Sequence, residues 1–220
     1  MPITQSMPRS AATAGTPRRV AAATTVERFF FDLDGTITRQ EILPEIARAV
    51  GMEDEIAALT RRTMAGELPF ESSLRHRVEL LRGVPVSTVR RIVAGVEIEP
   101  RIAAFLAEHR DRCTIVTGNL DVWVADLVGG LGVEFRCSVA ETDGDSLLGL
   151  RSVLDKAHVA ADYAGTICMV GDGYNDLGLM ALAEYGVAYG GVHPPAPGLY
   201  DVATHAIFDP RRLCELLSAL

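Results

Sequence analysis

The sequence predicts an α/β protein: a Rossmann-like, doubly wound parallel sheet with a helical cap inserted after the first strand. Three observations carry this. Short apolar runs recur that are continuous rather than alternating, as strands buried on both faces require. Helical patterns lie between them, and strands alternating with helices build a parallel sheet covered on both sides. One long segment, 41–96, departs from the alternation and is almost wholly helical.

Residues 1–26 hold mainly Ala, Thr, Ser and Pro, with Arg9, Arg18 and Arg19 and no acid before Glu27. Such a stretch suits a disordered tail. Arg-rich, acid-poor leaders also occur as transit peptides, but this one has neither an apolar core nor a clear amphipathic face. The first strand is expected from Arg28 to Leu33, through Phe29, Phe30 and Phe31. The segment after it reads EILPEIARAV, DEIAALTRRTMAG, FESSLRHRVELL and VSTVRRIV, broken at Gly51, at 66–69 and at 83–85. Helices of this number between two strands form a module over the sheet, placed to act as a lid.

Beyond it the alternation resumes. A helix is expected over Pro100 to Arg110, a strand over Cys113 to Thr117 and a helix over Val122 to Val128. The run ETDGDSLLGL at 141–150 has Asp-Gly turn chemistry and predicts a small hairpin. Strands follow at Thr166 to Val170, Gly186 to Tyr189 and His205 to Phe208, with helices at Asp176 to Glu184 and Pro210 to Leu220. Residues 27–40 and 97–220 thus form the α/β core, and 41–96 the cap.

Lys and Arg number 21 against 29 Asp and Glu, a net charge of −8, which disfavours a nucleic-acid or anionic-membrane partner. No apolar stretch reaches the ~20 residues of a membrane helix. Cys113, Cys137, Cys168 and Cys214 form no C-x-x-C pair, and three of them lie in apolar runs, a pattern of reduced core thiols in a cytoplasmic protein. The expected partner is a small molecule or a cation. Oligomeric state is not fixed.

Ligands of open parallel sheets bind beyond the carboxyl ends of the strands. Here strand one ends in Asp32 and Asp34, the next core strand in Thr117-Gly118-Asn119, and a third in GDGYND, with Asp172, Asn175 and Asp176. Any one of these aspartates alone could be a helix cap or turn residue. Four meeting at one edge would repel strongly unless neutralised, and oxygen-only ligands with open positions favour Mg²⁺. The chain also has twenty arginines but one lysine, Lys156. Where Arg serves wherever charge alone matters, a lone Lys marks a place where the broad guanidinium would not fit.

DLDGT, then TGN, then Lys156, then GDGYND resembles the four-motif signature of the haloacid dehalogenase superfamily over residues 28–212, with the core α/β fold that this implies. The phosphatase members of that family form an aspartyl phosphate. The resemblance implies Asp32 as nucleophile and Asp34 as general acid and base, since a phosphate ester, unlike a halide, needs its leaving oxygen protonated. Two residues along a strand returns a side chain to the same face, which accounts for their spacing. Thr117 and neighbouring backbone N–H groups would hold the phosphoryl oxygens, and Lys156 would neutralise them. The metal would be held by Asp32, the carbonyl of Asp34 and Asp172, with Asn175 and Asp176 orienting that shell and Gly171 and Gly173 bending the backbone around the ion.

The inserted helices are similar to the cap of phosphoserine phosphatases, without a gap from Asp32 through Arg77. The likeness implies Glu41 for the substrate ammonium, Arg77 for its carboxylate, and Met64 and Phe70 closing over the ligand. Read without it, Arg75, Arg77 and Arg82 could be a solvated helix face and Glu41 a first-turn acid. Departures are Gly35 where that family has Ser, Gly118-Asn119 where it has Gly-Gly, and a long proline-rich stretch, GVHPPAPGL, at 191–199. Asn119 could therefore meet a different substrate group. The leading expectation is a Mg²⁺-dependent phosphatase of phosphoserine or a similar small phosphorylated amino acid. The alternatives are a phosphatase of a sugar or polyol phosphate and a phosphate-binding module without turnover.

Overall fold

The structure is a computed structural model and describes residues 25–161 and 163–220. Its elements in chain order are β1 (Arg28–Phe31), α1 (Ile42–Val50), α2 (Glu53–Met64), α3 (Phe70–Leu81), α4 (Val86–Val93), α5 (Pro100–Glu108), β2 (Cys113–Leu120), α6 (Asp121–Gly129), β3 (Glu134–Asp143), β4 (Ser146–Ser152), α7 (Lys156–Ala161), β5 (Ile167–Gly171), α8 (Leu177–Leu182), β6 (Tyr185–Tyr189), β7 (His205–Ile207) and α9 (Pro210–Ser218). The sheet order is β4-β3-β2-β1-β5-β6-β7, parallel throughout except for the β3–β4 pair. β1 is central, between β2 and β5, at the point where the winding of the chain reverses direction.

The three consecutive phenylalanines follow from that central position. Phe29 and Phe31 enter the core on one face of the sheet, against Phe105 of α5, while Phe30 enters the core on the other, with Met169, Leu179 and Val159. Phe29 meets Phe105 edge-on with centroids 5.3 Å apart, and Phe30 meets Tyr163 likewise at 5.1 Å. A strand buried on both sides has no solvent face to alternate with, so the run is unbroken.

Segment 41–96 leaves and rejoins the core through two chains that run side by side. Thr38 pairs with Ile98 as an antiparallel bridge, Arg39 N–H donates to Glu97 O at 2.8 Å, and Glu99 N–H donates to Ile37 O at 2.9 Å. The hairpin differs from expectation. β3 starts at Glu134 and pairs in parallel with β2 before turning into β4, so it is the edge of the main sheet. Its tip also reaches the inserted helices: Asp145 accepts from the Ser87 N–H at 2.6 Å and the Ser87 hydroxyl at 2.7 Å, at the start of α4. The half-buried pattern of EFRCSVA gave no continuous apolar run to mark its strand.

α7, beginning at Lys156, is a short helix the sequence pattern did not reveal. Val26 is fully buried, and its N–H donates to Leu220 O at 2.9 Å, so packing of the body reaches into the stretch read as tail. The rest of that stretch, 1–24, lies outside the described residues. The four cysteines are unpaired, and burial pushes the Cys113 thiol up to about 12. Among the described residues no helix is long and apolar enough to cross a membrane.

Candidate active site

β1 stops at Phe31, two residues short of the expected end, which changes the reason for the Asp32–Asp34 spacing. Asp34 lies in the turn after the strand, so strand alternation does not place it. Two neutral donors do: the Ile42 N–H, at the start of α1, reaches Asp34 Oδ1 at 2.8 Å, and Asn119 Nδ2 donates to Oδ2. A carboxylate at a helix N-terminus is favoured by the free amides there, so the first helix of the inserted segment is tied to the side chain of Asp34.

β2 delivers Gly118 and Asn119 by an irregularity. Thr117 pairs with Cys137 and Leu120 with the next residue of β3, Ser138, so Gly118 and Asn119 have no counterparts and splay from the ladder. Both line the cavity. The Thr117 hydroxyl beside them is buried and accepts from the Asn119 N–H at 3.1 Å.

The floor is a buried charge cluster. Lys156 Nζ donates to Asp32 Oδ1 and to Asp176 Oδ1, both at 2.6 Å. The second oxygen of Asp176 accepts from the N–H groups of Asp172 and Gly173 at 3.0 and 2.9 Å. Neither Gly171 nor Gly173 has a positive φ. Gly171 is required because the Asp176 carboxylate lies where a Cβ would stand. Thr36 donates to Asp172 Oδ1 at 3.2 Å.

Burial lifts Asp32 well above the usual carboxylate range; Lys156 opposes the lift, while Asp176, Asp172 and Asp34 add to it. Burial, then the charge of Glu41, raises Asp34 to about 7, and burial raises Asp172 to about 6 despite a hydrogen bond from His193. Burial alone would depress Lys156, but Asp176 and Asp32 outweigh it and hold the ammonium charged. Negative charge is in excess.

Above this floor is a cavity of about 380 Å³, walled by Asp32, Asp34, Asp172, Asn175, Gly118 and Asn119 from the sheet edge and by Glu41, Phe70 and Arg77 from the inserted segment. Three arginines of α3 and its end separate cleanly. Arg75 and Arg82 are exposed and pair with Glu71 and Glu79, whereas Arg77 is 7% exposed. Arg77 Nη2 donates to Thr60 at 3.1 Å, its Nε is buried without a partner, and among the described residues it pairs with no carboxylate. Phe70 lies on Gly118. The side chain of Met64 lies outside the described residues.

Residues 29–181 match the family model of haloacid dehalogenase-like hydrolases. The chain belongs to this family. Among curated relatives, the phosphoserine phosphatase of Saccharomyces cerevisiae is 32% identical over 179 residues, 73% of this chain and 58% of the yeast protein. That of Halobacterium salinarum is 32% identical over 194 residues, 80% of this chain and 90% of the archaeal one. A solved structure, the phospho-aspartyl intermediate analogue of phosphoserine phosphatase, superposes with a TM-score of 0.75 at 25% identity, covering 88% of this chain and 99% of the other.

The haloacid dehalogenase carboxylates here fit a divalent cation. Oxygens of Asp32, Asp172 and Asp176 lie within 4.8 Å of one another, and the donors are hard oxygens whose mutual repulsion a cation would relieve. Sequence reasoning missed Thr36 and His193. The first sat inside DLDGT; the only signal for the second was the unusual 191–199 stretch.

Proposed function

We propose that the chain is a Mg²⁺-dependent phosphomonoesterase that acts on phosphoserine or a similar small phosphorylated amino acid through an aspartyl phosphate. The carrying observation is Arg77: a buried guanidinium with an unpartnered nitrogen faces the same cavity as Asp32, and a buried donor of that kind calls for a carboxylate on the ligand. A molecule with phosphate at one end and carboxylate at the other suits a cavity of about 380 Å³.

Asp32 attacks phosphorus, forming a carboxyl–phosphorus bond as the ester oxygen leaves. Asp34, protonated near neutrality because of its raised pKa of about 7, gives its proton to that oxygen. It then takes a proton from water, which attacks the aspartyl phosphate and releases inorganic phosphate. Lys156 opposes the burial that would protonate Asp32 and holds its carboxylate in place, and the Gly118 backbone amide is offered to the transferred oxygens. Asp32, Asp172 and the Asp34 carbonyl would hold Mg²⁺, which neutralises charge on the phosphoryl group when bound. Asp176 and Asn175 orient that shell.

A second reading, hydrolysis of a sugar or polyol phosphate, is favoured by Asn119 Oδ1, which is buried without a partner and would accept from a ligand hydroxyl. Phosphate release from a panel of esters, with and without Mg²⁺ and with Asp32→Asn as control, decides. Metal-dependent release greatest for phosphoserine supports the first reading. Preference for a polyol ester supports the second, and silence of the wild type toward every ester overturns both.

A further inference from the structure

His193, from the proline-rich stretch, lies over the active site and reaches Glu41. Its Nε2 is 2.7 Å from Glu41 Oε1 and 3.1 Å from Asp172 Oδ2, and its Nδ1 is 3.1 Å from Pro194 O. Every one of these neighbours is an acceptor, so the ring that satisfies all three carries hydrogen on both nitrogens and is a cation.

The space for the ring is built. Gly35 sits under it at φ +64°, and a Cβ there would stand 2.9 Å from Glu41 Oε1 and 3.0 Å from His193 Nε2. Pro194 restricts the backbone of His193, and Ala196 N–H anchors the loop to Asp172 O at 2.7 Å. Among the described residues, Glu41 is the only carboxylate of the cavity wall outside Asp32, Asp34 and Asp172. A ligand ammonium held away from the phosphate end has no other anion to meet, and this one is already engaged. Arg77, in contrast, is open to a carboxylate.

We propose that His193 determines specificity by occupying the ammonium position beside Glu41 with a side chain of the protein itself. The pocket then selects esters by phosphate and by carboxylate, at Arg77, and tolerates loss of the amino group. This rests on the phosphatase reading above and needs only the Glu41 contact of His193.

The test compares kcat/KM for phosphoserine and for O-phospho-3-hydroxypropanoate, which keeps both acids and lacks the amino group. Wild type is expected to discriminate by less than about tenfold, because an engaged Glu41 rewards an ammonium little. His193→Ala frees Glu41 and is expected to widen the ratio by about tenfold or more, mostly through a lower KM for phosphoserine. His193→Gln, which keeps a side chain in the gap but no charge, is expected to shift it the same way. Dissociation constants of the two esters for Asp32→Asn, with and without the His193 change, should show the same selective gain for phosphoserine. The inference is overturned by a wild-type preference for phosphoserine beyond about a hundredfold, or by His193 variants that weaken both esters equally. Inactivity toward both esters overturns the phosphatase reading and this inference with it. Strong amino-group selectivity overturns this one alone.

Discussion

The ring of Phe70, at the start of α3, lies directly on Gly118 of the β2 bulge. A Cβ on Gly118 would stand 2.8 Å from Phe70 Cε1 and closer still to Cζ. The inserted segment and the sheet edge thus meet at a point where only glycine fits. Gly118→Ala must displace Phe70 and with it the start of α3. Overpacking of this kind costs about 1–3 kcal/mol; spent against the closed arrangement it should raise KM for the ester roughly tenfold. Gly118→Ala combined with Phe70→Leu should recover part of that loss in steady-state assays, and no recovery would show that the clash is not the cause.

Lys156 is expected to be irreplaceable for two reasons that separate experimentally. Lys156→Ala leaves Asp32 and Asp176 buried without their cation and should destabilise the metal-free protein by about 3–5 kcal/mol in denaturant unfolding. Lys156→Arg keeps the charge but brings a wider group between two carboxylates each 2.6 Å from Nζ. It should retain more stability than Lys156→Ala while losing most turnover.

Asp34 at about 7 and Asp172 at about 6 keep protons in the folded chain that the unfolded chain has released by about pH 4 to 5. The folded state therefore binds more protons between about pH 4 and 7, and stability falls as pH rises through that window. The metal-free melting temperature should decline across it. Mg²⁺ binds the deprotonated carboxylates, so it should raise the melting temperature more at about pH 7.5 than at about pH 5. A cation effect that is equal at both would contradict the assignment.

Neighbouring arginines of α3 should differ sharply. Arg75→Ala breaks an exposed pair with Glu71 on the same helix, worth about 0.3–0.5 kcal/mol, and should leave kinetics unchanged. Arg77→Ala removes the buried guanidinium and should raise KM for phosphoserine by about 10–100-fold. It should leave an ester without a carboxylate nearly unaffected.

Much of the site was readable because its parts stand where strands end. Asp32, Asp172 and the Thr117-Gly118-Asn119 stretch each follow a continuous apolar run, and in a parallel sheet such positions share one edge. The lone Lys156 stood out through composition and lies against Asp32. Thr117 was read as facing the ligand; that its hydroxyl accepts from the Asn119 N–H was not legible, because the register shift lies between Thr117 and Leu120. Likewise the Asp34 spacing looked like strand alternation and is a turn held by Ile42 N–H and Asn119. β3 escaped notice because its residues are only half buried.

The order of apolar runs, helical patterns and polar strand ends determined by itself the α/β sheet, the inserted helices and the set of acidic residues, because burial on both faces and strand polarity are local properties of the chain. Tertiary structure alone decided which arginine is buried, that Phe70 covers Gly118, that Asn119 holds Asp34 across 85 residues, and that His193 meets Glu41 across 152. Those contacts join segments whose separate patterns carry no trace of each other. They exist only once packing has fixed the loops and the inserted helices over the sheet edge.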